Sequence, residues 1–472
     1  MTASALDLTA PRVRAIWIVG AASAAFLGVF AALGSPTWAV TLTILLTLTL
    51  IAFALPLAPL GILIAALIPF QIYFPLGDSA FHLRAAFVLT LVACARLLFT
   101  NYRLLFNRLF LPAFAFLAVA LASALLADSR ALALRGVYDW LAVFAAAFFF
   151  RAIPRARGAL IAALFAGGIA QAALGWIQIA AGRDAVLEWL SQPASAIFFP
   201  PNLLRERLSD LGFNWLTFER VTAFGTFTNA IDYAILLAAM VCLLIPFLFA
   251  RHSRKIFAAQ FIAAILIAGA LIGSAKGSGA LAFAGGGAAL AFLLAPRVSP
   301  RARWLALGTG ALILLFTFGM WSERGLFLLQ REQGEFGTSG RLNIWIQLAD
   351  EFLRRPFFGY GLNHAATLIP ATRTLSAGAI TFIATPPESA YVAALIETGA
   401  LGFGALMLWL AIALRRAGRA ARIFGDPARV GIFAALVAIL FGNLTVTGLT
   451  TDQNGMLLGA LIGMTFAEWD IE

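Results

Sequence analysis

Charge is scarce in this chain. Only 12% of its 472 residues are Asp, Glu, Lys or Arg, against about 25% in soluble domains, which excludes a water-soluble fold for most of the length. Cysteine is nearly absent. Cys94 and Cys242 each sit inside an apolar run, so neither a disulfide framework nor a thiolate metal cluster is expected. The three histidines, His82, His252 and His364, are too scattered for a metal site, and the long loops carry no DxD-like acidic pair. A Gly-rich nucleotide loop is also missing. The glycine runs near Gly167 and Gly285 fall within apolar stretches, where they allow close helix packing. No cofactor is expected.

What the chain has is apolar surface. Hydrophobic residues make up 62%, with 42 Phe and 11 Trp, and the mean hydropathy is +0.93. A bilayer core needs roughly 20 apolar residues per helix. Runs of that order fall near 15–33, 38–56, 58–76, 85–100, 109–127, 137–150, 158–181, 229–250, 256–273, 277–295, 303–320, 391–414, 430–447 and 453–467. The expected fold class is all-α, a polytopic transmembrane helix bundle of about 12–14 spans. The lower number holds if the run before Ser79 is one re-entrant hairpin. The first run lacks a convincing small-residue cleavage site and reads as a retained span.

Lys and Arg outnumber Asp and Glu by 33 to 22. The excess sits in alternate short connections: 101–108, 151–157, 251–255, 296–303 and 415–429, with Asp426 as the only acid. It is therefore read as the positive-inside signature rather than as a nucleic-acid surface, which places both termini in the cytoplasm. Two long connections of mixed charge then face outward, and they are expected to carry short amphipathic helices. The expected division is 1–181 N-terminal helices, 182–228 first extracytoplasmic loop, 229–320 central helices, 321–390 second, catalytic loop, and 391–472 C-terminal helices. In the second loop Leu342, Trp345, Leu348, Ala349 and Phe352 recur at helical spacing, as in a helix lying on the membrane surface or over a cavity.

Four stretches carry candidate chemistry. The first runs from Arg220 through Asn229 and Asp232 to Tyr233; a plain helix start, with Thr228 or Asn229 as cap and Asp232 on the dipole, explains it equally well. The second is Gly273-Ser274-Ala275-Lys276-Gly277, where flexible backbone and a point charge suit a bulky anion, although an interfacial lysine would look the same. The third is Thr338-Ser339-Gly340-Arg341. A cation near a helix N-terminus is unfavourable unless an anion such as a diphosphate is shared with it, and Arg354 and Arg355 complement the other end. The fourth is Pro386-Pro387-Glu388-Ser389-Ala390-Tyr391, followed by Glu397 two to three turns deeper. Glu388 is either a dipole partner or a carboxylate placed to take a proton from an acceptor hydroxyl. An ionisable Glu397 at membrane depth is a functional candidate.

In order and spacing these stretches resemble the O-antigen ligase and polymerase family of bacterial envelope proteins. The resemblance rests on Arg220 to Tyr233, Ser274 to Gly277, the Ser-Gly-Arg-x-x-x-Trp and Pro-x-x-Gly-x-Gly pattern of Ser339 to Gly361, and Glu388 to Gly402 with its Glu-x-Gly-x-x-Gly. It implies a metal-independent glycosyltransferase. The enzyme would move a glycan from undecaprenyl diphosphate to an acceptor sugar hydroxyl at the outer face of the bacterial inner membrane. By the resemblance Arg341 matches one diphosphate-binding arginine, Lys276 stands where the other is usual, and Glu388 stands where a catalytic histidine is usual. These three are the expected catalytic residues; Arg220, Asn229, Asp232, Ser274, Tyr391 and Glu397 are the expected substrate-binding ones. The expected partners are the lipid-linked glycan, an acceptor glycan or glycolipid, and the bilayer, with no nucleic acid. A polysaccharide polymerase is the leading reading, with transfer to lipid A-core or to protein beside it. A transporter or lipid flippase would instead show repeats and charges at mid-membrane, and a peptidoglycan polymerase would act on a different lipid-linked sugar.

Overall fold

The computed structural model describes residues 36–70, 72–75, 82–101, 108–192, 198, 223–227, 229–250, 253–274, 276–294, 338–368, 374–375, 380–381, 387–450 and 452–467. Among these the chain is almost wholly helical. In order the helices are α1 (Pro36–Ala54), α2 (Leu57–Leu67), α3 (Ala85–Asn101), α4 (Leu111–Leu126), α5 (Arg130–Arg151), α6 (Arg157–Ser191), α7 (Ala230–Leu248), α8 (Arg254–Ser274), α9 (Gly277–Leu294), α10 (Thr338–Arg354), α11 (Ala390–Phe424), α12 (Pro427–Gly442) and α13 (Asp452–Phe466). Among the described residues, seven segments are long and apolar enough to cross a membrane, and α10 is not one of them. The protein is a polytopic membrane bundle. The runs 15–33 and 303–320, together with Arg220 and Thr228, lie outside the described residues.

One expected span is corrected. The run 58–76 does not continue as helix: α2 ends at Leu67, and Tyr73–Pro75 (β1) pairs antiparallel with His82–Arg84 (β2). Pro69 and Pro75 explain the stop, since proline breaks the helical ladder but is tolerated at a strand edge. Arg84 reaches from this hairpin to Asp139 on α5. A second two-residue pair, Thr374–Leu375 with Ile380–Thr381, is the other sheet described.

The core is organised around α7, which is hydrophobic all round and buried along nearly its whole length. It packs against α6, α8, α9, α12 and α13, while α13 lies along α5 and α11 along α4. Hydrophobic driving force between helices is weak in lipid, so close contact falls to small residues. A side chain at Gly459 or Gly463 of α13 would strike the Val143 or Ala147 carbonyl of α5, and one at Gly286 would strike Cys242 of α7. Gly167 and Gly285 likewise sit at contacts, with Pro69 and Phe441.

Helix ends are written plainly in the sequence. Gly425 adopts a left-handed conformation (φ 63°) that closes α11, and Asp426 then caps α12, accepting from the Ala428 and Arg429 N–H groups at 2.9 and 3.2 Å with Pro427 at the first helical position. This reversal is the tight turn joining α11 to α12. It keeps their opposite ends, where the candidate residues lie, side by side.

Candidate functional site

Four helix N-termini, those of α7, α9, α11 and α13, gather at one end of the bundle, and α10 meets them two turns in. The Asn454 amide at the start of α13 donates to the Asp232 carbonyl at the start of α7 (3.1 Å). Ser278, opening α9, shares a 2.9 Å hydrogen bond with Thr445, in the turn between α12 and α13. The Ala390 N–H that opens α11 donates to the Asn443 and Val446 carbonyls of that turn (3.1 and 2.8 Å). Trp345, two turns into α10, donates from its indole Nε1 to the Pro387 carbonyl at 2.8 Å. Each helix start carries the positive end of a dipole, so this end of the bundle favours an anion. Lys276 stands half-buried at the α8–α9 corner, where its carbonyl accepts from the Gly279 and Ala280 N–H groups, and Arg341 lies in the first turn of α10.

Glu388 occupies a strained position between Pro387 and α11. Its φ is +47°, one of two positive values among described non-glycine residues, and such a conformation costs about 1–2 kcal/mol. The capping role belongs to the next residue: Ser389 Oγ accepts from the Val392 N–H at 3.5 Å. Backbone strain of this kind collects at functional sites.

Below it, α11 is broken. Gly399 has φ 64° and ψ −173°, a region open essentially to glycine alone. The carbonyls of Ile396 and Glu397 therefore lose their helical partners and accept instead from the N–H groups of Tyr360 (3.2 Å) and Gly361 (2.9 Å). The N–H groups of Ala400 and Leu401, freed by the same break, donate to the carbonyls of Pro356 (2.7 Å) and Phe357 (3.4 Å). The segment after α10 is thus spliced into the break, and these four backbone groups find partners there. Ser123 of α4 adds a hydrogen bond to the Glu397 carbonyl at 3.0 Å. Gly359 (φ 67°) and Gly361 (φ 98°) supply the matching turns, and a side chain at Gly359 would overlap Ile396 and Glu397.

The Glu397 side chain uses this splice. Buried in the bundle, its carboxylate accepts from the backbone N–H of Ala365 at 3.2 Å and also from that of Asn363, the other residue with positive φ (63°). It also lines a cavity of about 140 Å³ whose wall includes Trp140, Asn363, Pro387 and Thr447. His364 next to it is structural. Its Nε2 accepts from the Ser129 N–H at 3.2 Å, which leaves Nδ1 to donate to the Leu362 carbonyl at 3.1 Å.

The charges after Arg341 are absorbed locally. Arg354 pairs with Glu351 (2.8 Å), which also accepts from the Tyr360 hydroxyl (2.6 Å); Arg355 stacks on the Tyr360 ring and lies 3.6 Å from Asp128. The amphipathic face of α10 is Ile344, Leu348 and Phe352 packed on Tyr360, Ala393 and Ile396. It differs from the sequence pattern in that Ala349 is exposed.

The remaining candidates divide. Asn229 caps α7, accepting from the Ile231 N–H at 2.8 Å, and Asp232 is buried against Asn454. Ser274 turns inward to the Leu271 carbonyl (2.6 Å), and the Tyr391 hydroxyl reaches the Leu440 carbonyl (2.8 Å). The structure therefore places Lys276, Glu388, Asn229 and Asp232 at helix starts at one end of the bundle, with Trp345 of α10 against Pro387 and Glu397 beneath. Arg220 lies outside the described residues. No group of three or more His, Cys, Asp or Glu residues gathers as a metal site among the described residues.

Sequence reading missed the two glutamines that hold the approach to α7. Gln178 accepts from the Phe224 and Gly225 N–H groups (3.0 and 2.9 Å) and donates to the Gly225 carbonyl (2.7 Å); two turns earlier on the same helical face, Gln171 accepts from the Thr226 N–H (3.0 Å) and donates to its hydroxyl (2.7 Å). The signal was there: two amides seven residues apart in an apolar span mark an interior polar contact. Gln178→Leu strands three backbone groups, and the thermal midpoint of the purified protein in detergent is expected to fall by the equivalent of about 3 kcal/mol. A midpoint unchanged from wild type would show that the turn holds without it.

Residues 262–407 match the family model described as O-antigen ligase, while no curated protein matches the chain. The matched stretch runs from α8 through the break in α11 and includes Ser274, Lys276, Arg341, Glu388, Tyr391 and Glu397, together with the glycines of the splice. On that match, this multi-pass membrane protein carries an O-antigen ligase family domain across residues 262–407.

Proposed function

We propose that the protein is a polysaccharide polymerase that moves a glycan from undecaprenyl diphosphate to the hydroxyl of an acceptor sugar. The observation that carries this reading is the gathering of helix N-termini beside Lys276, with the strained Glu388 among them and Trp345 of α10 held against Pro387. In the reaction the acceptor oxygen attacks the anomeric carbon, the bond from that carbon to the diphosphate oxygen breaks, and undecaprenyl diphosphate leaves. Glu388 takes the hydroxyl proton. Arg341, Lys276 and the helix starts stabilise the charge that grows on the leaving diphosphate, with Arg220 as a further cation and no metal called for. Asn229, Asp232 and Tyr391 shape the floor of the site, and Glu397 anchors the splice. The site faces the periplasm from the inner membrane, with both termini cytoplasmic and the stretches 182–228 and 321–390 on the outer side; the basic short loops support this orientation. Transfer to lipid A-core or to protein is the second reading, favoured by the description of the matched family as a ligase.

Purified protein in proteoliposomes, given a polyprenyl-diphosphate-linked repeat, is expected to extend it. Arg341→Ala and Lys276→Ala should each lower the rate about 100-fold, as loss of one donor to a developing oxyanion does, and Lys276→Arg should retain most of it. Full activity from both alanine variants would remove the diphosphate role from these residues. Product formed only with a lipid A-core acceptor would select the ligase reading, and no product from folded wild type with either acceptor would turn the work to transport.

A further inference from the structure

The cavity beneath Glu388 has a composition that the transfer chemistry above does not use. Trp140 of α5 forms one wall, fixed by an edge contact with Phe116 (4.9 Å between ring centres) and a stack with Phe144 (5.8 Å). Asn363, Thr447 and Glu397 contribute an amide, a hydroxyl and a carboxylate, and Pro387, the residue before Glu388, lines the same space. An aromatic face beside several hydrogen-bonding groups is what a pyranose needs, since a sugar ring presents C–H groups on its faces and hydroxyls around its edge. The size agrees. The cavity's 140 Å³ is well above the roughly 10–15 Å³ that admits one water and below the roughly 300 Å³ at which drug-sized pockets begin.

Resting on the proposed function, we infer that this cavity is the subsite for the acceptor's terminal sugar, and that it selects a neutral ring. Among the described residues, the only ionisable side chain in its wall is the acid Glu397, and no cation lines it. An acidic sugar would find no counter-charge there and would meet a carboxylate, which is costly in a desolvated site. The position of Pro387 sets the bound ring beside Glu388, so the hydroxyl that leads out of the cavity is the one that is deprotonated.

The test uses the full-length protein in proteoliposomes with the lipid-linked repeat as donor and two soluble oligosaccharide acceptors, one ending in a neutral hexose and one in the corresponding uronic acid. Wild type is expected to use the neutral acceptor at least tenfold better by kcat/KM. Thr447→Val, which keeps volume and removes the hydroxyl, and Ala366→Leu, which fills the cavity from its wall, should each raise the acceptor KM about tenfold while leaving the donor KM and the thermal midpoint unchanged. If wild type transfers but both variants keep the wild-type acceptor KM, or the uronic acid is used equally well, the subsite assignment fails and the polymerase reading stands. If wild type transfers to neither acceptor while folded, it is the underlying reading that fails.

Discussion

Glu388→Gly is expected to cost about 100-fold in transfer rate while leaving the protein as stable as wild type or slightly more stable. The two effects come from different parts of the same residue. The carboxylate is the proton acceptor in the proposed reaction, and loss of a positioned general base lowers rates by about 10²–10⁴. The backbone at 388 is held at φ +47°, where glycine is at ease and a side chain costs about 1–2 kcal/mol. Against this, glycine loses about 0.5–1 kcal/mol through greater freedom of the unfolded chain. Glu388→Gln separates the terms, since it keeps the strain and removes the base. Both variants should lose about 100-fold in rate, and only the glycine variant should match or exceed the wild-type thermal midpoint. Transfer by Glu388→Gly within about threefold of wild type would show that Glu388 does no chemistry, whatever its geometry.

Gly399→Ala is expected to be among the most damaging single substitutions in the bundle. At φ 64° and ψ −173° an L-residue is strained by roughly 1–3 kcal/mol, and the added methyl would overlap the backbone of Phe357. The chain can relieve the overlap only by releasing Pro356–Gly361. That exposes the Ile396 and Glu397 carbonyls and the Ala400 and Leu401 N–H groups, each costing about 1–3 kcal/mol when unsatisfied. The midpoint should fall by the equivalent of at least about 3 kcal/mol, with new protease cleavage between Arg355 and Gly361. Gly404→Ala is the control. Nothing lies within 4 Å of its added methyl, and alanine is the better helix former by about 1 kcal/mol, so stability should hold or rise. Equal behaviour of the two variants would mean that the break in α11 is not needed.

The spans were readable because a bilayer imposes a length: a run of about 20 apolar residues has few other fates. Helices α4 to α9 arise where such runs stand, and the caps at Asn229, Ser389 and Asp426 are legible residue by residue. The turn from helix to hairpin after Leu67 was not, because the apolar run continues through Ile68-Pro69-Phe70 and hydropathy does not register a proline. The candidate site was legible as a set of stretches and not as a geometry. The Glu-x-Gly and Pro-x-x-Gly-x-Gly patterns were visible, yet the helical pattern of 391–414 runs straight across Gly399. Only the backbone angle there reveals that the two patterns are halves of one joint. Trp140, Asn363 and Thr447 carried no signal, since each is an ordinary residue until folding brings α5, the turn after α10 and the turn before α13 around one space.

That joint also ties the outer half of α11 to α10 at two separate points. On one side, the chain up to Ala365 is fastened to Glu397 and its neighbours; on the other, Pro387 is fastened to Trp345 and Ala390 to the turn after α12. A displacement of α10 is therefore passed to both ends of the short helical stretch between Glu388 and Glu397 together, so the two carboxylates keep their spacing when the amphipathic helix shifts.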